Sequence, residues 1–138
     1  MSAELSKEEE RLLPYMKNDL YQKYYSVIVR HFPITSVVGH RLVDFGLLTI
    51  SEHKEICNLP RTSAGPSLLC SLETKGDDSM SLFYQVLVGA REERDVAVIL
   101  QHVEADAKCR KLSRDVSGRA RVLSQLQRLN YSCTLLLV

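Results

Sequence analysis

An all-α fold, six helices packed as a bundle, is what this sequence predicts, and three observations carry the prediction. Apolar residues recur at helical spacing through roughly the first hundred positions, as in Val96, Ile99, Leu100 and Val103 at i, i+3, i+4 and i+7. Helix punctuation separates the stripes: Gly46 after one, the capping-box pattern Thr49-Ile50-Ser51-Glu52 before the next, then Lys75-Gly76 and Gly89. The segments between are short, and 138 residues with 45% hydrophobic content supply one domain with one ordinary core.

The first helix is expected to start at the N-cap Ser6, with Glu8 to Glu10 placed where acids favour the helix dipole. Leu12, Leu13, Met16, Leu20, Tyr24, Val27 and Ile28 continue it to about His31, and Pro33 ends it. Pro14 removes a backbone donor near the start, so a kinked first helix is expected. Ile34, Val37, Val38, Leu42 and Phe45 mark a second helix over roughly 35–45, with Gly46 at the position of a left-handed cap. A third short helix follows the capping box and stops before Pro60. The stretch Thr62-Ser63-Ala64-Gly65-Pro66 opens the fourth, which turns Leu68, Leu69 and Leu72 inward. Asp77-Asp78-Ser79 caps the fifth, carrying Met80, Phe83, Tyr84 and Leu87 and closing at Gly89. The sixth begins near Arg91-Glu92-Glu93.

After Asp106 the character changes. The formal net charge is only +1, from 18 Lys plus Arg against 17 Asp plus Glu, but its distribution is uneven. From Gly76 to Asp106 seven acids face two arginines, and from Ala107 onward seven basic residues face Asp115 alone. Residues 106–138 are therefore set apart as a basic tail, with a further helix at about 119–129 and an apolar end, Tyr131 to Val138, of strand propensity.

Chemical motifs are absent. The cysteines, Cys57, Cys70, Cys109 and Cys133, lie 13, 39 and 24 residues apart, without the paired spacing of a zinc knuckle or redox centre. His53 and Cys57 are four apart, too few ligands for a metal, and are expected to be a surface histidine beside a packed cysteine. His31, His40 and His102 are expected at surfaces or helix ends. No G-x-S-x-G elbow, phosphate-binding glycine loop or H-E-x-x-H occurs, so no enzyme, cofactor or metal is expected. The charged start is unlike a signal peptide, and no apolar run reaches membrane-spanning length. A cytoplasmic setting is expected, in which the sequon Asn130-Tyr131-Ser132 carries no meaning.

The run Leu42 to Thr49 resembles the passage between the second and third helices of caspase recruitment domains. Leu68-Leu69, Leu72, Lys75-Gly76, Phe83 and Leu87 are similar to that family's fourth and fifth helices with their Lys-Gly turn. The likeness covers residues 6–105, and a break at Pro14 suits the family's broken first helix. Gly65-Pro66 and the tail match no family element. The resemblance implies a death fold, six antiparallel helices in a Greek-key arrangement, without catalytic activity. It implies a signalling adaptor or regulator in apoptosis or innate immunity, acting on caspase or NF-kappa-B signalling. Its partner would be the recruitment domain of a caspase, an adaptor or an innate immune receptor.

The resemblance further implies a homotypic contact between a basic and an acidic face. The candidates are Lys17, Lys23, Arg30 and Arg61 on the basic side and Asp44, Glu52 and Glu55 on the acidic side. Such a contact does not close on itself and can propagate into a filament. Arg41 and Lys54 interrupt the acidic side and Asp19 lies between the two lysines. Glu92, Glu93, Asp95 and Glu104 form a second acidic surface or pair with the basic tail. The alternative function is a nucleic-acid- or membrane-associated regulator working through that tail, although Tyr131 is its only aromatic ring. Neither nucleic acid nor membrane is the expected partner of the domain itself.

Overall fold

A computed structural model describes residues 5–129 of the chain, with side chains described for residues 5–114. Every regular element among the described residues is helical. In order they are α1 (Lys7–Leu12), a 3-10 turn (Leu13–Tyr15), α2 (Asp19–Lys23), α3 (Tyr25–His31), α4 (Val37–Asp44), α5 (Ile50–Asn58), α6 (Arg61–Glu73), α7 (Ser79–Val88) and α8 (Arg94–Leu129). The expected kinked first helix is thus α1, the turn, α2 and α3. Pro14 sits inside the 3-10 turn, and a second break falls at Tyr24, whose φ of −110° and ψ of 27° leave the helical region.

Several of the expected start and stop signals act as written. Ser6 and Thr49 each accept from the amide three residues on, while Glu9 and Glu52 return a bond to the cap amide, so both capping boxes are complete. Gly46, at φ +76°, supplies the left-handed turn after α4. One other does not. Asp78 occupies the N-cap position of α7 but makes no side-chain cap bond. The cap comes instead from Asn18, whose Oδ1 accepts from the Met80 amide at 3.0 Å and the Ser79 hydroxyl at 3.3 Å, while its Nδ2 donates to the Gly76 carbonyl at 2.6 Å. Gly89 closes α7 as its C-cap, with helical dihedrals, and its carbonyl accepts from Arg41 Nη1 at 3.3 Å.

The fourth expected helix begins earlier than its Thr62 to Pro66 signal, at Arg61, and Pro66 lies inside it. Pro66 is the sixth residue of the helix and withdraws the amide that would reach the Thr62 carbonyl, yet the helix continues through it to Glu73. The sixth helix does not end near 105, and the stretch 119–129 is not separate from it: both belong to α8. A change in charge does not interrupt a backbone, and from Ala105 through Ser117 no glycine or proline intervenes. At 1.5 Å per residue, α8 is about 54 Å long. Residues 130–138, which hold the sequon and the apolar end, lie outside the described residues.

One core joins all these elements. Tyr21 packs its ring 5.8 Å from Phe83, and Phe32 lies 5.4 Å from the same ring. Leu42, Leu47, Leu68, Leu72, Met80 and Leu87 fill in around them, each contributing about 1.5–3 kcal/mol by leaving water. Val96, Ile99, Leu100, Val103 and Ala107 close the core from α8. Beyond Ala107 that stripe leaves the bundle: Leu112 is 61% exposed.

Candidate functional site

Arg30, near the end of α3, and Arg61, the first residue of α6, both line one cleft of about 360 Å³. Its wall is apolar where Ile34, Ile56 and Leu59 line it. The floor is shaped by Gly65: a Cβ there would lie 2.7 Å from Val29 Cγ1 and 3.1 Å from its Cα, so only glycine lets α3 approach α6 this closely. Both guanidiniums are exposed and have no ion-pair partner among the described residues.

The other basic candidates divide. Lys17 is exposed in the segment between the 3-10 turn and α2 and has no ion-pair partner among the described residues. Lys23 is held: its ammonium donates to Asp106 of α8, which raises the lysine's pKa. Asp106 is a buried carboxylate whose burial opposes its charge, and Lys23, Arg110 and the Tyr24 hydroxyl at 3.2 Å more than offset that and lower its pKa. Arg110 Nε lies 2.7 Å from Asp106, and its two terminal nitrogens bind Asp19 at 3.1 and 2.8 Å, holding that carboxyl below its ordinary value.

On the acidic side, Asp44 at the end of α4 and Glu55 on α5 are exposed without an ion-pair partner among the described residues. Glu52 is engaged. Lys75 Nζ donates to it at 2.7 Å and the Thr49 amide at 2.9 Å, and together they hold its carboxyl below the usual range. Arg41, which interrupts the acidic sequence, reaches across to the Gly89 carbonyl.

Two members of the acidic cluster of the sixth helix, Asp95 and Glu104, have partners outside the tail. Asp95 lies 3.1 Å from His31 Nδ1. Glu104 accepts two bonds from Arg91, at 3.0 and 2.5 Å, and one from the Tyr84 hydroxyl at 2.6 Å. Arg91 also reaches Glu9 at 2.7 Å, which joins the α1 capping box to α7 and α8. The tail's first cations go elsewhere: Lys108 lies 3.8 Å from Glu8, and Arg110 binds Asp19 and Asp106. Sequence reading missed Asn18, Asp106 and Arg110 as organising residues. The spacing of Asp106 and Arg110, four apart on a helix, was the available signal.

The expectation for His53 is reversed. It is buried, because the inward face of α5 carries it one turn from Ile56. Its ring lies 4.7 Å from that of His40, and its Nε2 is 3.3 Å from the Ile34 carbonyl and 3.5 Å from Cys57 Sγ. Among the described residues no group of three His, Cys, Asp or Glu side chains is arranged to hold a metal, and no helix is long and apolar enough to cross a membrane.

A helical bundle with unpaired charge of opposite sign on different elements is the class of structure these features define. No protein-family model matches the chain, and no curated protein and no solved structure matches it.

Proposed function

We propose that this protein is a non-catalytic interaction module of the caspase recruitment class, its helices arranged as a six-helix Greek-key death fold with the first helix broken. It acts in the cytoplasm as an adaptor or regulator of apoptotic or innate immune signalling, by docking onto a cognate recruitment domain. The observation that carries the reading is the charge left without an ion-pair partner among the described residues: Arg30 and Arg61 line one cleft, and Asp44 and Glu55 are exposed on α4 and α5. Complementary faces of this kind give specificity and encounter rate more than raw affinity. Because they occupy different elements, head-to-tail contact leaves a free face at each end and supports chain growth.

Sedimentation velocity of the purified chain tests this. Assembly is expected to rise with concentration and fall with salt. Arg61→Glu and Glu55→Lys are each expected to be monomeric alone and to form a one-to-one complex when mixed. A chain that stays monomeric at every concentration, with no complex in the mixture, would overturn the reading.

A further inference from the structure

His53 and Cys57 stand one turn apart on α5, and the packing of that helix gives them different surroundings. His53 is buried, whereas Cys57 is half-buried and lines the cleft that also carries Arg30 and Arg61. The Cys57 Sγ lies 3.5 Å from His53 Nε2, and the Ile34 carbonyl lies 3.3 Å from the same nitrogen. A carbonyl oxygen only accepts, so this contact is satisfied only when Nε2 carries a hydrogen. A thiol that passes its proton to Nε2 supplies that hydrogen, and the ring then holds the thiolate by a charge-assisted contact. The thiolate is the nucleophilic form of cysteine. Cys57 is in the last turn of α5, where the helix dipole opposes an anion, but that effect is smaller than a hydrogen bond to a charged group. The cleft itself suits a small anionic molecule. Arg30 and Arg61 have no ion-pair partner among the described residues, and the one carboxylate on its wall, Asp95, already lies against His31. Cys70 and Cys109 differ: both are exposed, and neither has a hydrogen bond to a histidine among the described residues.

We propose that Cys57 is a thiolation site: the cleft admits a small anionic disulfide, whose acidic groups rest on Arg30 and Arg61, and Cys57 exchanges with it. The thiol proton goes to His53 Nε2, and the Cys57 sulfur attacks one sulfur of the disulfide. A new S–S bond forms as the old one breaks, and the departing thiolate takes the proton from the imidazolium. Cys57 is oxidised to a mixed disulfide and the departing half is reduced to a thiol, so the disulfide is the only oxidant required. The site is independent of the docking reading above, because it is read as added mass on one residue of the monomer.

The test treats the dilute full-length chain with anionic glutathione disulfide, neutral bis(2-hydroxyethyl) disulfide or cationic cystamine, and follows each cysteine by peptide mass spectrometry. Dividing the Cys57 rate by that of Cys70 in the same mixture removes the intrinsic difference between reagents. With glutathione disulfide this ratio is expected to be about ten or more, although Cys70 is the better exposed. It is expected to fall from the anionic to the neutral to the cationic reagent. Replacing both arginines, Arg30→Gln with Arg61→Gln, should lower it about three- to tenfold for glutathione disulfide and less than about twofold for the neutral reagent. His53→Asn should lower it about fivefold or more for all three reagents, because it acts on the thiol and not on the reagent's charge. A ratio near one with glutathione disulfide would overturn the proposal, as would equal ratios for the anionic and cationic reagents. An unchanged ratio in folded His53→Asn would overturn it too. If circular dichroism shows His53→Asn unfolded, the two exposed arginines decide: a glutathione ratio unmoved in their double variant overturns the site with the fold intact.

Discussion

Arg110 grips Asp19 as a fork, Nη1 on Oδ1 at 3.1 Å and Nη2 on Oδ2 at 2.8 Å, across 91 positions of sequence. The same guanidinium turns its Nε to Asp106, so one side chain ties α2 to α8 where the buried stripe of α8 runs out. Planar bidentate geometry is what a lysine cannot reproduce. Arg110→Ala is expected to lower stability by about 1 kcal/mol, kept small because Asp19 is largely exposed. Arg110→Lys should recover less than half of that, as read from urea midpoints.

Acid should unfold the protein through its engaged carboxylates. Glu9, Asp19, Glu52 and Asp106 all have folded-state pKa values below their ordinary ones. Below the ordinary value of about 4 the unfolded chain binds protons that the folded one does not, so stability is present above that pH. It is lost as pH falls through the lower folded values. Urea midpoints should be flat from pH 7 to about 5 and drop steeply below 4. Asp106→Asn and Glu52→Gln should each flatten that drop, and an unchanged slope in both would contradict the assignment.

Asn18→Ala removes the cap that Asp78 does not supply. With the Met80 amide and the Gly76 carbonyl both losing a partner, about 1–2 kcal/mol should be lost. Asp78→Ala is expected to change stability by less than about 0.5 kcal/mol, since its side chain makes no cap bond. Guanidinium titration of the two variants side by side gives the comparison.

Gly65→Ala should close the cleft wall against Val29. A methyl group 2.7 Å from Val29 Cγ1 forces α3 and α6 apart, at about 1–3 kcal/mol. Val29→Ala in the same chain should restore part of the loss by removing the nearest atom, while the backbone contacts at 3.1 Å remain. A thermal melt in which the double variant is no more stable than Gly65→Ala would show that the side-chain contact is not the limiting one.

Local signals were legible where they act within a few residues. The N-cap Ser6, the capping box at Thr49, the left-handed Gly46 and the inward stripe of α8 were all readable because each involves bonds or spacings of at most a turn or two. Helix boundaries placed by composition fared worse. The shift from acidic to basic residues at Asp106 suggested an end, yet the helix passes through it, since charge changes what a helix faces and not whether its backbone bonds form. Among the site residues, sequence supplied charge and approximate position but not engagement. Lys23 and Arg30 look alike in one dimension, and only the distant Asp106 distinguishes them.

The sequence by itself determined that the chain is helical, where most helices start and stop, and which apolar residues meet in the core, because periodicity and capping are local consequences of residue type. Tertiary structure decided which charges remain available. Asn18 caps a helix some sixty positions away, His53 turns inward, and Glu52 and Lys23 are withdrawn while Arg30, Arg61, Asp44 and Glu55 stay exposed. The physical reason is that a charge is used up by whatever partner the packing of separate helices brings within hydrogen-bond reach, and that partner is set by the fold and not by its neighbours in the chain.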